Sequence, residues 1–583
     1  MKSKLLNSKL IFLSLLIFCG LFSFGAKASA ATVYIDPTCG SSGNGTTITC
    51  GASGPFKTWA EVSWVAGNTY SQKGGTTYYG TVTVGASGTE GNPIIINSYG
   101  TGKAILDGSV TITEWTANDP VAGVYSTTAV TNNAIYEDDV PLRYGRDTEC
   151  NYGNVYWESG WKNYYKPTSG IPADHIIQYT RLYGINLGSH SYITIDGLSF
   201  RRYGNGVYTA NIAGSHNDYI LVTNSDFDDI IQGVQIFTNN AISTGISITD
   251  NNFSYVQNSI ELGTANTATQ GDAGAFMGAT IASNAITHCS QAKNTPYIWR
   301  TYGNDYDIDF AYTYWGWSGG TDTEGIGTQA LNNSSVYENN ITGMCRGFVH
   351  YVGSCHDGSN NNIYRNYINT LQNTIQLAPE QLASSFYNNK IYYNILYGGN
   401  SDGWTSNLSI FPIATPGGEN YIYNNTIITD SRIGIYSIGQ LDSYIIENNI
   451  VVSDNLPNLN WLVYLGSVSN SVINYNLYFP ASNVNRGTSE WAIEDDGGSK
   501  TFLQWNTLGY DANSSVSDPL LFNFSGGDYN LTAPSPAKWT GIDVGLATDY
   551  LGQSINNPPS IGAYEYHGSD AIPPNMPSGL AVE

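Results

Sequence analysis

Apolar and polar residues alternate in short bursts along most of the chain. No long stretch repeats apolar positions at the helical period. Tyr421-Ile422-Tyr423-Asn424 and Tyr444-Ile445-Ile446-Glu447 are representative: β-branched and aromatic, four residues long, then a turn. Such runs predict strands. Many strands end on the same phrase, an Asn, any residue, then an apolar or aromatic one. It occurs at Asn251, Asn284, Asn339, Asn366, Asn394, Asn425, Asn448 and Asn476, with spacings of 33, 55, 27, 28, 31, 23 and 28 residues. A period of 20–50 residues marks a repeat array whose units share one continuous core. Units made of strands predict an all-β chain, a parallel β-helix. Stacked coils would bring the repeated Asn side chains to about 4.8 Å from one another. At that spacing amides bond along the stack, so these Asn are read as turn-holding residues.

The pattern also predicts faces. In Gly233-Val234-Gln235, Ser259-Ile260-Glu261, Gly325-Ile326-Gly327, Gly347-Phe348-Val349, Thr374-Ile375-Gln376 and Ser409-Ile410-Phe411, the middle residue should face the core. The third residues then form an outward row of Gln235, Glu261, Gly327, Val349, Gln376 and Phe411. A second row, Asn258, Glu324, Arg346 and Asn373, precedes it. Glu324 and Arg346 fall on neighbouring coils, within ion-pair reach. Gly325 and Gly327 should leave the surface bare beside them.

Two stretches break the repeat. Residues 134–190 are aromatic, with Trp157, Trp161, Tyr164 and Tyr165, and read as an inserted β-rich lobe. The 55-residue step from Asn284 to Asn339 holds Trp299, Tyr314, Trp315 and Trp317, whose rings would stack on sugars, and Asp322 just before Glu324. Long loops on a regular scaffold are where function concentrates. Glycoside hydrolysis uses two carboxylates, and Glu324 with Asp322 or Glu261 would supply them, with Arg346 beside them and Gln376 in the binding row. His350 sits at an inward position and would act as acid or base only if it faced the cleft. Asp305, Asp307 and Asp309 alternate, so a strand would gather them on one face, a candidate Ca²⁺ site without the Gly and Glu of an EF-hand. Asp226, Asp228 and Asp229 form a second acidic cluster. No cofactor is required by this chemistry.

Composition narrows the partners. Lys2, Lys4 and Lys9 precede an apolar run from Leu10 to Phe24, and Ala28-Ser29-Ala30 closes it, so residues 1–30 read as a signal peptide of a secreted, extracellular protein. Without the four lysines of that segment, 19 basic residues face 47 acidic ones, a net charge of −28. Such a surface disfavours nucleic acid and anionic membranes and suits a neutral polysaccharide. A monomer without membrane insertion is expected. Six cysteines remain. Cys39 with Cys50 is the first pairing to expect, Cys345 with Cys355 the next, and no CxxC pair suggests zinc.

The ends of the chain carry a resemblance. Gly91-Asn92-Pro93-Ile94-Ile95-Ile96, Ile105-Leu106-Asp107-Gly108 and Ser191-Tyr192-Ile193-Thr194-Ile195-Asp196-Gly197-Leu198 resemble the coils of secreted bacterial right-handed parallel β-helix proteins, the pectate-lyase-like superfamily. Asp518-Pro519-Leu520, Ser535-Pro536-Ala537 and Ile561-Gly562-Ala563-Tyr564-Glu565 resemble its closing pattern. The resemblance covers most of residues 32–566. It implies the fold, and an activity among lyases, hydrolases, epimerases or adhesins. The Gly-His-Gly and Arg-Ile-Lys phrases of polygalacturonase-like enzymes are missing, as is the lyase phrase Trp-Ile-Asp-His. Lysine in the helix body is essentially Lys293 and Lys390, which weakens a Lys-based lyase. The expected order is a signal peptide (1–30), an N-terminal cap and first coils (31–133), the lobe (134–190), the helix body (191–480), closing coils (481–567) and the start of a further module (568–583). The expected function is glycoside hydrolysis, with a non-catalytic glycan-binding β-helix and a Ca²⁺-assisted polysaccharide lyase as rivals.

Overall fold

The computed structural model describes residues 30–568 except 120–121, 129–134, 142, 145–154, 160–161, 213, 265–274, 288–323, 345, 353–355, 371, 380–384, 399–405, 412–417, 430–432, 441–442, 454–460, 469, 481–492 and 496–497. Its strands wind into a right-handed parallel β-helix. A 13-stranded parallel sheet runs from Thr32–Ile35 to Val472–Asn474 and forms one wall. A 25-stranded sheet bends around the other two walls. Strands Asp226–Thr238 and Asn252–Thr264 pass through that bend without a break. The second wall includes Tyr367–Thr370 and Ile395–Gly398; the third includes Tyr203–Tyr208, Glu324–Gln329, Arg346–Val352, Ile375–Pro379 and Ser406–Ile410.

Inward residues stack coil on coil. Phe200, Phe227 and Phe253 lie in register with ring centroids 4.7 Å apart, and Ile260, Ile326 and Ile375 are fully buried beneath the third wall. Burial of apolar surface holds the coils together at about 25 cal/mol per Å².

The turn between the first and second walls carries the predicted Asn ladder. Each Asn Nδ2 donates to the Oδ1 of the next, from Asn251 through Asn284, Asn339, Asn366, Asn394, Asn425 and Asn449 to Asn476, at 2.9–3.1 Å. The seventh rung is Asn449, not Asn448. Asn448 is the left-handed turn residue before it (φ 59°), in line with Asp250, Ser283, Glu338, Arg365, Tyr393, Asn424 and Tyr475. A second amide row, Asn361, Asn389 and Asn420, repeats the device at the opposite edge of the first wall. Asp511 closes the main ladder. It accepts from Asn476 Nδ2, Trp505 Nε1 and Tyr478 OH, and burial pushes its carboxyl up.

At the N-terminus, Trp59 in a short 3₁₀ turn covers the first coil and donates to Gln72. Cys39 and Cys50 form a disulfide there. The inserted lobe does not keep the expected bounds of 134–190: its five-stranded sheet includes Thr116–Ala117 and Tyr125–Thr127 as well as Lys162–Tyr165, over a small core of Ile112, Ile135, Tyr165 and Ile177, while Ile177–Asn186 already pairs with strands of the helix. The C-terminal segment 541–566 runs back outside the turn row. Ile542 bonds Asn448, Ser560 accepts from Asn424, Ala563 donates to Thr426, and Thr548 and Asp549 accept from Arg365.

Candidate functional site

Strand register on the third wall decides which outward residues meet. Gln235 pairs with Glu261, Glu261 with Gly327, Gly327 with Val349, Val349 with Gln376 and Gln376 with Ser409. The last step corrects the sequence reading. Ser409, not Phe411, follows Gln376, because Ile375 pairs with Leu408. A slip of two residues keeps every side chain on its face, so alternation alone does not choose between them. The second row also forms: Glu324 pairs with Arg346, and Glu324 N donates to Asn258 Oδ1 at 3.1 Å. Extended backward, that row contains Gln232 and Asn205, which pair with each other.

Two carboxylates stand on adjacent strands of this wall. Glu324 is nearly buried. Its Oε1 lies 3.7 Å from Arg346 NH1 and 3.5 Å from Tyr351 OH, and Arg346 NH1 donates to that hydroxyl at 3.0 Å. A 3.7 Å separation is an ion-pair contact rather than a strong hydrogen bond. Glu261 is half-buried, and both Gln232 Nε2 (3.0 Å) and Gln235 Nε2 (2.6 Å) donate to its Oε2. Loss of water around Glu261 pushes its carboxyl above the ordinary range, against the opposing pull of the Gln235 bond.

The expected bare patch is not bare. Gly327 is the residue opposite Glu261, and the Glu324 carboxylate folds over it: a Cβ at 327 would collide with Glu324 Oε2. Gly325 faces the other way, against Ile341 in the core. Gly327 thus leaves room for the Glu324 carboxylate to fold back along its own strand, the one that pairs with the strand of Glu261.

His350 is not in this group. It is buried between Phe348 and Phe386, with ring centroids 6.4 and 6.0 Å away, and its Nδ1 meets Thr328 Oγ1 at 3.1 Å. Burial lowers its pKa to about 4. The inward side of a strand puts it in the core, out of reach of any cleft. Gln376 lies in the outward row as expected, and is almost covered. Trp299, Tyr314, Trp315, Trp317 and Asp322, and the Asp305, Asp307 and Asp309 triplet, lie outside the described residues. Cys345 and Cys355 do as well.

The acidic cluster near residue 226 resolves into ordinary contacts: Asp226 pairs with Lys103 at 2.8 Å, and Asp228 accepts from Ser254. Among the described residues two groups gather metal-type ligands. One includes the cysteines already joined as a disulfide. The other, Glu137, Asp138 and His175, is an ion pair: His175 Nδ1 lies 2.7 Å from Asp138 Oδ2 and its Nε2 donates to Ser169 O, which together raise the imidazole pKa.

Gln232, Asn205 and Tyr351 were missed by sequence reasoning. Gln232 and Asn205 carried a signal: each stands three residues before an outward residue, as Asn258 does before Glu261. Tyr351 had none, because nothing in its spacing tells that its hydroxyl reaches back across one strand.

The architecture has counterparts among solved structures. One described as the complex structure of XylC with xylose matches with a TM-score of 0.55 at 13% identity, covering 92% of this chain and 98% of that one. The fold is a parallel β-helix. The β-helix also matches a pectate lyase, Pel9A (TM-score 0.39, 15% identity, 92% of this chain and 96% of that one). A structure described as a glycoside hydrolase gives 0.31 at 12% identity, covering 80% and 95%. No protein-family model and no curated protein sequence matches the chain.

Proposed function

We propose that the protein is a carbohydrate-active enzyme that hydrolyses glycosidic bonds in a neutral polysaccharide, secreted through its N-terminal segment. The reading rests on one observation, two carboxylates in opposite surroundings on adjacent strands of one wall. Glu261 is the proton donor: its raised carboxyl keeps a proton where an exposed glutamate would lose it. Glu324, beside Arg346 and Tyr351, is the carboxylate that acts as nucleophile or base. The amide groups around them suit uncharged hydroxyls, and among the described residues no lysine is paired with either carboxylate. The similarly folded XylC was solved with xylose, which makes xylo-oligosaccharides the first substrates to assay.

Glu261→Gln and Glu324→Gln should each lower kcat by about 10²–10⁴-fold on a substrate the native protein cleaves. Activity of the native protein should fall as pH rises through the Glu261 pKa, since the donor is then empty. Activity within twofold of native in either variant would remove that residue from the mechanism. Retention on glycan without turnover across a broad neutral panel would make the protein a binding module.

A further inference from the structure

The two glutamines that hold Glu261 are themselves held. Asn205, on strand Tyr203–Tyr208, stands two strands before Glu261 and is 8% exposed. Its Nδ2 donates to Gln232 Oε1 at 2.6 Å and to Gln235 Oε1 at 2.7 Å. Each glutamine then turns its Nε2 to one and the same atom, Glu261 Oε2. Every donor in this branched chain points toward the carboxyl group.

The direction cannot be reversed piecemeal. An amide nitrogen donates twice and accepts nothing, while an amide oxygen only accepts. If either glutamine turned over, its nitrogen would face the nitrogen of Asn205 and its oxygen would face Glu261 Oε2. Donor would meet donor and acceptor would meet acceptor, a mismatch that the observed arrangement avoids at every contact. Two N–H donors also crowd Oε2, leaving Oε1, on the side of Gly263, as the oxygen able to carry hydrogen.

We propose that Asn205 is a positioning residue that, through the amides of Gln232 and Gln235, confines the acid proton of Glu261 to Oε1. The clamp stands on its own geometry, and its catalytic meaning rests on the reading of Glu261 as proton donor. With the proton on Oε1, the O–H is presented from one side of the carboxyl only, which fixes the side from which a leaving oxygen is protonated. The groups bonded to Glu261 are the two glutamine amides on the preceding strand; the described charged residues of the wall nearest in strand order are Glu324 on the following strand and Arg346 one strand further.

Titration of the Glu261 carboxyl by infrared difference spectroscopy, with Glu261→Gln subtracted, reads the clamp without any substrate. Asn205→Asp replaces two donors by an acceptor, so both glutamines should turn over and press oxygens on Glu261. Its pKa should rise by about one unit, a tenfold gain in proton affinity. Asn205→Ser keeps one donor and should give a smaller rise. Gln235→Leu removes one N–H from Oε2 and should shift the titration the same way, which keeps the test valid if Asn205→Asp fails to fold. An unchanged titration in folded Asn205→Asp or Gln235→Leu overturns the proposal. If the titration shifts and a cleaved glycan is known, the alkaline limb of the rate profile should move up in parallel, and a limb that stays put overturns the catalytic half. A shifted titration in a protein that cleaves no glycan upholds the clamp and refutes the hydrolase reading.

Discussion

His350 is a side chain whose charge the fold refuses. Its ring lies between two phenylalanines, and its pKa falls from 6.5 to about 4 through loss of water. The unfolded chain therefore binds a proton near pH 6.5 that the folded chain does not take until about pH 4. The neutral ring supports the fold above pH 6.5, and that support is lost as pH falls between these values, at about 1.4 kcal/mol per unit. Denaturant unfolding of the native protein should lose about 3 kcal/mol across that window from this residue. His350→Leu should remove that share of the slope, and identical pH profiles in the two proteins would show that His350 does not titrate between them. Its inward position was legible from the alternation around Phe348. What the sequence could not show was the ring of phenylalanine on its far side, supplied by Phe386 from a later coil.

At the scale of the element, the ladder turn is the most legible part of the chain. Its Asn residues recur at coil spacing, and seven of the eight positions read from the pattern are rungs. The eighth failed because Asn448 and Asn449 are adjacent and either fits the phrase; the left-handed backbone at 448 decides it. The second row escaped because three rungs, Asn361, Asn389 and Asn420, are too few to stand out where Asn is common in turns. A rung works on both sides. Asn366 accepts from Asn339 N and Nδ2, and donates to Asn394 Oδ1 and Val336 O. Asn366→Ala would remove these four buried side-chain hydrogen bonds, each contributing about 0.5–1.5 kcal/mol. The variant should unfold about 3 kcal/mol more easily, whereas Asn448→Gly, which keeps the left-handed backbone and loosens contacts to the C-terminal segment and to Asn424, should cost less. Equal losses would mean that the rungs do not bond cooperatively along the stack. The outward rows were legible too, to within the two-residue slip at Ser409. The clamp around Glu261 was not, since bond direction between amides is a property of three dimensions.

For the whole molecule, the charge balance sets the environment in which the fold is most stable. The chain carries 47 acidic and 23 basic residues. Acidic residues outnumber basic ones by 24, so each basic residue can offset at most one acid and the excess charge repels itself over the length of the solenoid. Raising ionic strength from about 0.01 M to about 0.1 M shortens the screening distance from about 30 Å to about 10 Å. The melting temperature should therefore rise with added sodium chloride, and a flat or falling response would show that local ion pairs such as Lys73–Asp36 and Arg201–Asp107 outweigh the repulsion.

The C-terminal segment gives the molecule a property that the coils alone lack. A helix of identical turns has no preferred length, and a duplication or loss of one coil would leave its hydrogen bonds matched at every junction. Residues 541–566 do not repeat, yet they reach the same turn row at Arg365, Asn424 and Asn448. They act as a gauge laid along the stack. A chain that gained or lost a coil between Arg365 and Asn448 would no longer fit it, so the sequence can grow or shrink freely only outside that span.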